Sequence, residues 1–453
     1  MPILLLSLPS PTHAHLAGTL LPRGFFLGLG LIYLAALALD RLAERLNVPA
    51  AVAILLLGLA LPSGIVAQAQ PFGPLQVETV HRVSLALLIF YAGLGTDLRR
   101  IRGMVGTGLR LGTVGALITL LITGLSLLLL RPTLAGGLPL AAVWLVACCL
   151  VPTDSGALED LLGALGPRVS GRLTHLLQFE AALSTLTALL CFGFLAGVFQ
   201  GHGHSEHQAL HGAMGATVTA QLGAVALHLL AGLAAGSLVG VLAPRLIDTL
   251  VRSEQQLLLV AISLAFVAYG LGQLLGGGGM MAVFAAGVCL ANGHEPSSRF
   301  QPHALARVMH PFNTAAELTV LLLLGLLVEP SQLLTVLPLA IPLALVLPLA
   351  RWAGVGAVLP ARSFPRRERL IVTGCGLRGA VPLALAVSMA EELAHLRGLS
   401  AATAETLAPR LLALIFAVVL IHLLLQSVAM RRLLPGGDGG EASRAAARHR
   451  PLD

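Results

Sequence analysis

The sequence predicts an all-α, polytopic membrane protein of about 13 transmembrane helices, two of them broken. Three observations predict it. Hydrophobic residues make up 56% of the 453 positions and charged residues only 11%, too little charge for the surface of a soluble protein of this size. Apolar stretches long enough for a hydrocarbon core of roughly 30 Å recur along the chain. The arginines fall with a strong bias on alternate loops.

The candidate spans lie near 24–41, 50–67, 80–96, 108–130, 138–163, 171–199, 217–245, 255–275, 279–292, 311–328, 332–359, 368–391 and 408–430. Residues 1–435 read as one transmembrane domain, with a first half near 24–199, a linking span at 217–245 and a second half near 255–430. Residues 436–453 read as a short, disordered cytoplasmic tail. The first span does not read as a secretory signal, because no basic region precedes it and the stretch is long.

Lys and Arg together number 28, and all of them are arginine. With 13 spans, 22 fall on the side that includes the loop with Arg99, Arg100 and Arg102 and the loop with Arg362, Arg366, Arg367 and Arg369. The opposite side holds Arg23, Arg82, Arg131, Arg397 and Arg410, and Arg378 lies inside a span. This positive-inside signal puts the C-terminus in the cytoplasm and the N-terminus outside, in the plasma (bacterial inner) membrane. The net charge of +7 follows from the same loops. Scattered basic residues without aromatic interleaving or a recognition module argue against nucleic acid as a partner. The cysteines (Cys148, Cys149, Cys191, Cys289 and Cys375) all lie in spans and read as small packing residues rather than a disulfide framework.

Two spans are interrupted. The fifth contains Leu150-Val-Pro-Thr-Asp-Ser-Gly156 and the twelfth Gly374-Cys-Gly-Leu-Arg-Gly379, with Pro382 close behind. Proline and glycine break the helix, and the freed backbone groups need protein, water or ion as partners. Breaks at matching places in two halves suggest inverted repeats and a midplane ion site. Arg378 cannot shed its proton, so at membrane depth it needs a carboxylate or a watery cavity. Glu180, near the middle of the sixth span, is the expected partner in a core ion pair.

Asp154 lies within the first break. It reads either as a helix cap or as an ion and proton site, where a proton and a monovalent cation compete for the same oxygens. Thr153, Ser155, Ser184 and Thr185 offer further oxygens nearby, although hydroxyls in apolar helices often bond their own backbone. Glu317, at the start of the tenth span, reads as a structural or interfacial residue or as one in the cavity, and His228 as a satisfied polar contact. His202 to His211 form an external loop in which His204, His207 and His211 would share a helical face; such loops are usually solvated, and no metal site is expected. Gly276–Gly279 reads as a turn, since no Lys-Ser/Thr follows for a phosphate loop. No nucleophile–base pair or metal motif points to an enzyme, and no cofactor is implied.

Gly376-Leu-Arg-Gly-Ala-Val-Pro382 resembles the signature of the NhaP-type sodium (potassium)/proton branch of the cation:proton antiporter superfamily. Val151-Pro-Thr-Asp154 is similar to that branch's Thr-Asp break. Leu324-Gly-Leu-Leu-Val-Glu-Pro-Ser331 and Tyr91-Ala-Gly-Leu-Gly-Thr-Asp-Leu98 match it more weakly. The resemblance implies an inverted-repeat antiporter fold, a homodimer, and a core domain that moves against a dimerisation domain. It implies that Thr153 and Asp154 line the ion site, that Glu180 pairs with Arg378, and that Na⁺ or K⁺, H⁺ and membrane lipid are the partners. One departure stands out. The branch's Glu-x-x-x-Asn-Asp on the sixth span is here Glu180-Ala-Ala-Leu-Ser184-Thr185, so the usual aspartate is missing and Asp154 is left as the unpaired carboxylate. The expectation is exchange of a monovalent cation for protons by alternating access, electroneutral if one proton and one cation share one carboxylate. The alternatives are a proton-coupled carrier of a different solute, or a non-transporting structural or sensor homologue.

Overall fold

The computed structural model describes residues 50–60, 74–99, 101–131, 138–166, 169–199, 218–293, 302–396 and 399–433, with scattered residues of 30–43. The first predicted span, the His202–His211 loop and the tail beyond 433 lie largely or wholly outside the described residues. The remainder is helical: α1 Ala50–Ala60, α2 Pro74–Leu94, α3 Val105–Leu130, α4 Leu140–Cys149, α5 Ser155–Leu165, α6 Gly171–Phe199, α7 Val218–Leu250, α8 Glu254–Leu274, α9 Gly279–Asn292, α10 Pro302–Leu327, α11 Pro330–Val358, α12 Arg366–Gly374, α13 Ala380–Glu392 and α14 Ala401–Leu433. Seven of the described helices are long and apolar enough to cross a membrane, and shorter apolar helices accompany them. Each expected span from the second onward coincides with one helix or with a broken pair, α4–α5 and α12–α13.

Large apolar side chains cover the outside. Leu129, Leu274 and Leu334 are 81%, 85% and 74% exposed, the inverse of a water-facing surface. Backbone groups are closed within helices, as a hydrocarbon surround demands. Because lipid supplies no hydrophobic drive between helices, close approach depends on small residues. Gly232, Gly236 and Gly240 form a stripe along α7, and a Cβ on Gly236 would strike the backbone of Ala282 on α9. Gly58 and Gly325 let α1 and α10 approach in the same way. Between α8 and α9 the expected turn is present, with Gly276 at φ +69°, a value that favours glycine.

His228 differs from expectation. Its backbone oxygen accepts from Gly278 N at 3.1 Å, while the residue itself is exposed on the outer face of α7.

Substituting Gly236→Leu forces α7 off α9. A loss of about 3 kcal/mol is expected, read as a lower unfolding midpoint of the detergent-purified protein, whereas leucine at the nearby exposed Ala234 leaves the midpoint near its original value.

Candidate functional site

The two breaks cross. After α4 the chain runs extended through Pro152, Thr153 and Asp154 before α5 begins, and after α12 it runs through Gly376–Gly379 before α13 begins. Asp154 N donates to Leu377 O at 2.9 Å, which ties one break to the other. The Asp154 side chain then caps both restarting helices. Its Oδ1 accepts from Gly156 N (2.9 Å) and Ala157 N (3.1 Å) at the head of α5, and its Oδ2 from Val381 N (3.1 Å) at the head of α13. The Ala380 amide also faces it. The carboxylate is 2% exposed and sits where two positive helix ends converge.

Thr153 is the second junction. Its backbone N–H donates to Ser184 Oγ at 3.1 Å, and Ser184 in turn donates to Ala181 O at 2.9 Å. Thr185 Oγ1 lies 3.1 Å from Ala181 O and 3.5 Å from Thr153 O. The two hydroxyls that replace the branch's Asn-Asp therefore pin the first break to α6. Ser155 opens α5 and is half-buried.

The ion pair corrects the expectation. Glu180 is held by Arg351 of α11, not by Arg378. Arg351 Nη2 lies 2.8 Å from Oε2 and Nη1 3.0 Å from Oε1, a two-pronged pair buried on both sides. Arg351 Nη1 also reaches Thr153 Oγ1 at 3.2 Å, and Nε donates to Val372 O at 3.1 Å. Arg378 points at the first break instead, with Nη1 donating to Pro152 O and to Thr153 Oγ1, each at 3.0 Å. No carboxylate among the described residues lies within ion-pair distance of it. The Pro152 carbonyl, left outside any helix by the break, thus accepts from Arg378, while Glu180 serves a different arginine.

Sequence reasoning missed Arg351 because it lies toward the end of its span and was counted with the loop arginines. Its signal was available: α11 continues seven residues beyond it to Val358, about 10 Å at the helical rise. Trp352, the next residue, is 59% exposed while Arg351 is 6% exposed, so the guanidinium turns inward as its neighbour turns to lipid.

The break glycines make room for charge. A Cβ on Gly376 would strike the Arg351 side chain, one on Gly379 would meet Asp154 Cγ at 2.8 Å, and one on Gly156 would strike the Glu317 carboxylate. Glu180, Ser184, Arg351, Arg378 and Thr119 line a narrow crevice with room for about one water molecule. Asp154 is not part of that crevice's lining; its carboxylate meets the heads of α5 and α13.

Breaking one side of a buried pair strands the other charge. Arg351→Met should cost about 3–5 kcal/mol of stability, and the double variant with Glu180→Gln should recover much of it. In double-mutant cycles on unfolding, the coupling of Glu180 to Arg351 should exceed its coupling to Arg378; the reverse order would restore the pairing first expected.

The family model described as "Sodium/hydrogen exchanger, transmembrane" matches residues 30–435. The chain is 26% identical over 364 residues to a K⁺/H⁺ antiporter NhaP of Alkalimonas amylolytica, covering 79% of this chain and 59% of that protein. It is 28% identical over 386 residues to a K⁺/H⁺ antiporter NhaP2 of Shewanella oneidensis (81% and 60%), and 25% identical over 362 residues to a Na⁺/H⁺ antiporter NhaS2 of Synechocystis (79% and 62%). It therefore spans about three-fifths of the length of these relatives. The fold is similar to that of the sodium proton antiporter MjNhaP1 of Methanocaldococcus jannaschii, with a TM-score of 0.72 at 20% identity over 91% of this chain and 99% of that one. With the family model spanning both breaks and nearly all of the helical region, this multi-pass membrane protein belongs to the sodium/hydrogen exchanger family.

Proposed function

We propose that the chain exchanges Na⁺ or K⁺ for protons across the membrane by alternating access, with Asp154 as the group that proton and cation share. The observation that carries this reading is the convergence of two helix N-termini on one buried carboxylate at the crossing of two breaks. Burial opposes the charge on Asp154, and the inward N–H groups favour it. A carboxyl group set between such opposed influences can hold a proton in one state and face a cation in another. The names of the relatives, K⁺/H⁺ and Na⁺/H⁺ antiporters, support the same substrate class.

In the arrangement described here, the hydroxyls of Thr153, Ser184 and Thr185 all serve protein partners. They act as oxygen ligands only when the crossing opens, together with Ser155 and the break carbonyls. Two guanidinium groups against the Thr153 hydroxyl fix the first break as one unit with α6, α11 and α13. That rigid unit is the element that would move against the rest of a homodimer embedded in lipid. The break in each half supports a division into two inverted repeats joined by α7. The arginine bias supports a cytoplasmic C-terminus in the bacterial inner membrane, although Arg351 leaves the loop count and joins Arg378 inside.

Reconstituted protein should dissipate an imposed pH gradient when Na⁺ or K⁺ is added and not when choline is added. Asp154→Asn, which keeps the side chain's shape, should reduce the signal to that of empty liposomes. Flux of cation without proton movement would contradict the reading, and so would exchange that survives in Asp154→Asn.

A further inference from the structure

Asp154 is already crowded by backbone N–H groups, whose positive ends stand where a cation would otherwise approach. A further anionic oxygen would hold a cation beside it more tightly, and the aspartate that the resemblance places on α6 is here Thr185. The structure offers a different carboxylate. Glu317 of α10 packs on Gly156, the residue whose amide donates to Asp154 Oδ1 at 2.9 Å, and its carboxyl carbon lies 2.7 Å from where a Gly156 Cβ would sit. Asp154 and Glu317 therefore flank the same backbone residue at the head of α5.

Other polar groups stand beside this contact. Asn313 lies one turn earlier on the same face of α10; it is 4% exposed, and its Oδ1 has no hydrogen-bond partner. An unpartnered buried amide oxygen is costly and is a natural ligand for a hard cation. From α5, Glu159 accepts from the hydroxyl of Tyr91 on α2 at 3.5 Å. The Tyr91 ring meets that of His310 edge-on at 6.0 Å between centroids. His310 is exposed, Glu159 and Glu317 are half-buried, and Asn313 and Asp154 are buried. Polar groups thus run from the surface, between α2, α5 and α10, to the crossing.

We infer that the polar groups between α2, α5 and α10 bind a monovalent cation, with the Glu317 carboxylate and the Asn313 amide oxygen as ligands and Asp154 beside them. This rests on the exchange reading above and supplies the second anionic group that α6 lacks. Gly156 belongs to the site because only a residue without Cβ leaves room for the Glu317 carboxylate.

The test is the unfolding midpoint of the full-length purified protein against NaCl or KCl, with choline chloride holding ionic strength constant, run beside the liposome flux assay. The unaltered protein should show a saturable rise. Glu317→Gln and Gly156→Ala should each raise the half-saturating concentration about ten-fold or more, and Glu317→Asp should restore part of the effect. Gly156→Ala is informative if Glu317→Gln folds poorly, because alanine favours the α5 helix while displacing the carboxylate. If exchange occurs but both variants keep the original half-saturation, this inference is wrong and the exchange reading stands. If the unaltered protein shows neither exchange nor a cation-dependent midpoint, both are wrong.

Discussion

Everything at the centre of this protein depends on one constraint: two interrupted helices cross, and a single buried carboxylate caps both restarts. Each break exposes backbone groups that lipid cannot satisfy. The Asp154 main chain joins the breaks through Leu377 O, and its side chain serves amides of both α5 and α13. Without that carboxylate, N–H groups at two helix heads would lose their acceptors in a dry setting, where an unmade hydrogen bond costs about 1–3 kcal/mol each. Structural need and the proposed ion chemistry therefore fall on the same residue. Under the proposed exchange, neutralising the charge that holds the crossing together would loosen it and so link proton binding to movement of the breaks.

A second layer of charge sets the crossing against its surroundings. Glu180 and Arg351 form a closed pair between α6 and α11, and Nη1 of Arg378 donates to the Pro152 carbonyl and the Thr153 hydroxyl. The Thr153 hydroxyl thus has a guanidinium on either side. A buried pair of this kind is weak evidence of net stability. Its role here is positional: through the Thr153 hydroxyl, which Arg351 also reaches, it fixes where the first break lies relative to α6 and α11.

Much of this was legible in the sequence, for identifiable reasons. Hydropathy and arginine bias located the helices because the bilayer imposes length and charge rules on every span. Pro152, Gly156 and the glycines around Arg378 marked both breaks because few other residues release a helix. The partner of Glu180 was not legible. Choosing between Arg351 and Arg378 depends on which way each side chain turns from its helix, and a residue near a span end is easily assigned to the loop. The contact of Glu317 with Gly156 was not legible for a related reason: the two residues are far apart in sequence. Asp154 was read as either cap or ion site, and the geometry shows a cap on two helices, with the ion role still resting on function.

The central claim is that a cation displaces a proton at Asp154. Infrared difference spectra of the reconstituted protein, taken with and without Na⁺ or K⁺, test it most directly. The account predicts that the cation removes a protonated-carboxyl band and that this change is missing in Asp154→Asn. The same band change persisting unaltered in Asp154→Asn would place the exchanging proton elsewhere and contradict the account.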